Sequence, residues 1–191
     1  MGILLGFVPF ILFALLTNIS DSLALWVAFA SAFAIGIRDF AHTKILRVLD
    51  VGSIILFGLL ALYAGFVQPS LSLQAVRLVI DCGLLSIALV SMAIRNPFTL
   101  QYAREQTPQE FWDTPVFVRT NYIITMVWAL SFLVTTAADA TATFNKKFPL
   151  SLDIGIGLAA LALAVVFTAR YPVYVRAHVQ RSVAEAARRT A

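Results

Sequence analysis

The chain has 191 residues, of which 60% are hydrophobic and only 13% charged, with a mean hydropathy of +0.87. An ordinary soluble domain carries about 25% charged residues, so this composition excludes a water-soluble globular domain. It leaves room for roughly five or six membrane-crossing helices of about 20 residues each. The net charge of +4 is modest, no basic patch with interleaved aromatics points to nucleic acid, and a single cysteine, Cys82, excludes an intrachain disulfide and any multi-cysteine metal site.

Six apolar stretches follow one another: Gly2 to Thr17, Leu23 to Ile37, Val51 to Val67, Leu73 to Ile94, Tyr122 to Ala138 and Ile154 to Ala169. All read as helices, because an apolar run in lipid must satisfy its own backbone hydrogen bonds and the alternating pattern of a membrane barrel is absent. The expected fold is therefore an all-α polytopic membrane protein. The first two stretches reach only about 24 Å against a hydrocarbon core of about 30 Å, so they read as two short spans or as a re-entrant hairpin. Met1 to Thr17 lacks a basic n-region, which argues against a cleaved signal peptide. The whole chain reads as one transmembrane domain, with a cytoplasmic interfacial loop over 95–121 and a basic cytoplasmic tail over 170–191.

Orientation follows from Lys and Arg in the connections. Arg38, Lys44 and Arg47, then Arg95, Arg104 and Arg119, then Arg170, Arg176, Arg181, Arg188 and Arg189 fall on one side, against Lys146 and Lys147 on the other. The positive-inside rule places both termini in the cytoplasm.

Ala24, Ala28, Ala32 and Gly36 recur every four residues and form one small face that lets another helix approach closely; Gly2 with Gly6 and Gly155 with Ala159 repeat the spacing. Arg77 and Asp81 are four residues apart on one helical face inside the fourth stretch, where they can pair with each other. Ionisable groups within a bilayer mark either a structural pair or a pathway. Asp139 reads as a boundary residue, and His42 and His178 as solvated residues of cytoplasmic connections. No zinc spacing, HExxH, GxSxG or P-loop is present, so neither metal nor cofactor is expected, and no catalytic set can be assembled.

The 95–121 connection mixes Pro97, Gln101, Tyr102, Arg104, Phe111 and Trp112. Rings beside charges at a membrane boundary suit an interfacial anchor, with a partner-docking loop as the alternative.

Phe7 to Phe10 (Phe-Val-Pro-Phe), an Arg-containing turn after the second stretch, Pro97 to Gln101 (Pro-x-x-x-Gln) after the fourth, and Trp112, Asn121 and Trp128 leading into the fifth form a recurring layout. In this layout the chain resembles the intracellular septation protein A family of inner-membrane proteins of Gram-negative bacteria. The resemblance implies a non-enzymatic role in envelope organisation, septation or wall synthesis, with the bilayer and membrane proteins of the division machinery as partners and no catalytic residues. The rival expectation is a small transporter or channel built on Arg77 and Asp81.

Overall fold

A proline near the start decides how the chain begins. Pro9 cannot donate a backbone hydrogen bond, so the first apolar stretch breaks at Phe7 into α1 (Gly2–Gly6) and α2 (Val8–Leu16). A four-residue turn leads into α3 (Asp21–Thr43), whose first turn is capped by Ser20 Oγ accepting the Leu23 N–H at 3.4 Å. Then follow α4 (Val48–Phe66), α5 (Leu73–Ala93), the short α6 (Phe98–Arg104), a single 3₁₀ turn at Gln109–Phe111, α7 (Pro115–Phe144) and α8 (Leu150–Thr190). This computed structural model describes residues 2–67, 72–145 and 147–190, without the side chains of 183–187, 189 and 190; Lys146 and the Arg189 side chain, both used to orient the chain, lie outside the described residues.

Among the described residues five helices, α3, α4, α5, α7 and α8, are long and apolar enough to cross a membrane. The expectation of six is corrected at the first stretch, which the Pro9 break divides into two pieces too short to qualify. The second stretch, expected to end at Ile37, runs on to Thr43, because Arg38, Asp39 and His42 continue the helix. His42 is thus an exposed residue of the last turn of α3, and His178 lies on α8, so neither is in a loop. The tail is helical as well: α8 has 41 residues, about 61 Å at the helical rise, with Pro172 inside it.

Packing divides between two apolar clusters. One joins Phe13, Ala24, Leu25, Ala28, Phe57 and Leu60 from α2, α3 and α4 with Ile80 of α5; the other joins Phe7, Leu84, Phe98, Ile124, Trp128 and Ala164 from the break, α5, α6, α7 and α8. Phe10 packs on both, and Phe7 stacks on Trp128 with ring centroids 4.7 Å apart. All four small residues of α3 are buried, and Gly36 lies so close to α4 that a Cβ there would meet Ile54 Cδ1 at 2.9 Å.

Between the clusters, α4 and α5 meet across two glycines. A Cβ on Gly52 would lie 2.6 Å from Ile87, and one on Gly83 would lie 2.6 Å from Leu56. Gly52→Ala and Gly83→Ala are each expected to cost about 1–3 kcal/mol by overpacking this seam. Gly155→Ala, with nothing within 4 Å of the added carbon, should be neutral or slightly stabilising through helix propensity. Thermal unfolding of the detergent-solubilised protein followed by circular dichroism would measure all three.

Candidate functional site

Two clusters of charge lie at opposite ends of the bundle. At the end where α5 begins, Arg77 sits in the second turn, Asp139 lies in the penultimate turn of α7, and Asp153 lies in the first turn of α8. The three helices converge there. The guanidinium contacts Asp139 Oδ1 at 3.2 Å and Asp153 Oδ2 at 3.0 Å, both through Nη2. Asp139 and Asp153 are 4% and 2% exposed, so Arg77 serves two carboxylates that water hardly reaches. The N-terminus of α8 adds positive potential beside Asp153.

The expected pairing of Arg77 with Asp81 is therefore corrected. Arg77 reaches across to α7 and α8, while the Asp81 carboxyl lies near Thr135 and Asp139 of α7. Intrahelical spacing made the local pair possible, but two carboxylates on neighbouring helices compete for the same guanidinium. Asp139 is likewise corrected from a boundary residue to a buried ion-pair partner. Three carboxyl groups and one guanidinium thus share one site, so acidic groups outnumber the cation there.

The second cluster surrounds Arg47, the residue just before α4, which is only 5% exposed. Its Nη1 donates to Asp39 of α3 and its Nη2 to Glu105, just beyond α6. The flat guanidinium also lies over the Tyr102 ring, 4.5 Å from the centroid, a stacking that suits Arg better than Lys. Tyr102 in turn donates its hydroxyl to Asp50 Oδ1 at 3.3 Å, and Gln101 Oε1 accepts the Val48 N–H at 2.9 Å. Close approach at Gly6 completes the site, since a Cβ there would fall 2.4 Å from the Tyr102 hydroxyl.

Burial opposes the charge on Arg47, yet Tyr102, Glu105 and Asp39 more than offset it and raise the pKa above its ordinary value. Burial first, and the neighbouring Asp50 second, push the Tyr102 phenol well above its usual range. A tyrosine that keeps its proton when folded but ionises near pH 10 when unfolded lowers stability as pH rises above about 10. Replacing Tyr102 with Phe should leave the tyrosinate absorbance of the folded protein at pH 11 unchanged and reduce it only after unfolding.

The remainder of the 95–121 connection packs against the helices at several points. Pro97 is fully buried and precedes α6, the Phe98 N–H donates to Ser91 Oγ at 3.1 Å, and Thr99 contacts Thr125 at 2.7 Å. Tyr102, expected at headgroup depth, is only 2% exposed. Its ring is needed under Arg47. Arg104 lies 5.5 Å from the Trp112 ring, whose indole N–H donates to the Thr107 carbonyl at 2.8 Å. Phe111 alone of these rings is largely exposed, at 48%.

Among the described residues no group of three or more His, Cys, Asp or Glu is arranged to hold a metal ion. Comparison with known proteins returned no matching family model, no matching curated protein and no matching solved structure. What the fold defines is a class: a helical, multi-pass membrane protein with a buried ion cluster at each end of its bundle.

Proposed function

We propose that the protein is a non-enzymatic protein of the bacterial inner membrane, with both termini cytoplasmic, that assists septation or wall synthesis by helix contact with membrane partners. The outer face of α8 carries this reading. Only 11% of its apolar window is buried, against 50% for α7. Gly155 and Ala159, which repeat the small-residue spacing, stay exposed on it, whereas the equivalent face of α3 is filled from within the chain. Small residues allow the close backbone approach on which helix association in lipid depends. Purification from membranes after crosslinking through a cysteine at Ala159 (with Cys82→Ser) should capture division or wall-synthesis proteins, and Gly155→Leu should abolish the capture. Capture of neither class would overturn the reading. A phosphatase-type reporter active after Arg188 would overturn the orientation.

The excess of carboxyl groups around Arg77 favours a second reading, a small transporter or channel. Purified protein in liposomes should then support cation or proton flux that Asp139→Asn removes. Absence of flux at a verified protein density would dismiss it.

A further inference from the structure

Helix α8 is longer than a bilayer is thick. About 20 residues cross the hydrocarbon core, and from Ile154 no charge interrupts α8 until Arg170. The stretch from Arg170 to Thr190 therefore extends about 30 Å past the core at the helical rise. Tyr171, stacked on Phe167, is the last residue of α8 that packs on the bundle's apolar clusters among the described residues. Pro172 follows at once. It has no N–H for the Thr168 carbonyl four residues back, so the helix loses a hydrogen bond where the bundle lets go of it, and a proline of this kind is where helices bend.

Beyond the proline the helix has two faces. Val175, Val179 and Val183 recur every four residues along one side, while Arg181 and Arg188, two turns apart, fall on the other, with Arg176 at the border between them. Val179, Arg176, Arg181 and Arg188 are exposed, and among the described residues none of these arginines has an ion-pair partner. Residues 170–191 hold five arginines against one glutamate, a net +4 that equals the charge of the whole chain. The excess positive charge of the protein thus resides on this one projecting segment.

We propose that the tail of α8 bends at Pro172 and docks on an anionic bilayer surface, its valine face among the acyl-chain ends and its arginines at the lipid phosphates. Charge complementarity selects this occupant. A second copy of the chain would set arginines against arginines, whereas an anionic headgroup layer meets them with the opposite sign, and an amphipathic basic helix lies in just such an interface.

The test uses the full-length protein in nanodiscs, with an environment-sensitive dye on Val179→Cys or, on the opposite face, on Ala177→Cys, each combined with Cys82→Ser. In discs of phosphatidylcholine and phosphatidylglycerol in equal parts, the dye at 179 should shift to the blue and be quenched by brominated acyl chains, while the dye at 177 stays water-like. In phosphatidylcholine alone both should stay water-like. Each arginine near an anionic surface strengthens docking about fivefold, so Arg176→Gln with Arg181→Gln and Arg188→Gln should return the dye at 179 to its phosphatidylcholine spectrum. Salt at about 1 M, where the screening length is about 3 Å, should do the same. A dye at 179 that stays water-like in the anionic discs would overturn the proposal, as would equal shielding in the two lipids or equal shielding of the two faces. Shielding that grows with the number of copies per disc would assign the face to a second copy and overturn it as well. The lipid comparison is made with all the arginines in place, so it stands whether or not the triple variant folds.

Discussion

Arg47→Gln should lower the stability of the folded protein by about 3–5 kcal/mol, because removing one member of a buried ion cluster leaves its partners uncompensated. Asp39 is 8% exposed and cannot recover full hydration, Glu105 loses the contact that ties the chain beyond α6 to α3 and α4, and the Tyr102 ring loses the cation above it. Arg47→Lys should recover little, since an ammonium cannot donate in two fixed directions while stacking flat on a ring. Arg47→Gln combined with Asp39→Asn and Glu105→Gln should recover most of the loss. Heating the detergent-solubilised variants and quantifying the monodisperse fraction by size-exclusion chromatography would rank them. An Arg47→Gln protein as heat-resistant as the parent would show that the cluster contributes nothing to the fold.

Arg77→Gln is the second large effect, again about 3–5 kcal/mol, tempered because the Arg77 side chain is 27% exposed and can draw on water. The variant leaves Asp81, Asp139 and Asp153 facing one another without a cation. Adding Asp139→Asn should restore much of the folded yield, since it removes a carboxyl group that both Arg77 and Asp81 address. Adding Asp81→Asn should restore less, because Asp81 is not in ion-pair contact with Arg77. The reverse order of rescue would show that the guanidinium serves Asp81 in the membrane.

Much of the helical plan is written in hydrophobicity, which the sequence displays directly. The third and fourth apolar stretches match α4 and α5 to within three residues, since polar connections stop them on both sides. Helix ends beyond the apolar runs were hidden for a physical reason: Arg38 to Thr43 and Arg170 to Thr190 are good enough helix formers to continue a helix already nucleated in lipid, although nothing in their hydropathy calls for it. Pro9 was visible, but whether it kinks a span or divides it depends on what packs at Phe7, here Trp128.

The charges were the harder part. Arg77 and Asp81 stood out because they lie inside an apolar run, yet the partners of Arg77 come from residues 62 and 76 positions farther along, a choice that spacing along one helix cannot disclose. Arg47 was legible only as a topology signal, one basic residue among several near a helix end. Its distinguishing mark, an acid eight residues before it and another three residues after it at the facing ends of two apolar helices, becomes meaningful once Tyr102 and Glu105 are known to fold back against them.

The two clusters differ in how far apart their partners lie along the chain, which sets an order of assembly during synthesis. Arg47 finds Asp39 within its own hairpin, so that pair can form as soon as α3 and α4 are made. Arg77 has no such luck: Asp153 emerges 76 residues later, roughly 4 to 15 s at about 5–20 residues per second. During that interval the one acid on its own helical face is Asp81, four residues away. Until α7 and α8 arrive, Asp81 is therefore the one carboxyl group on α5 that can offset the Arg77 charge locally.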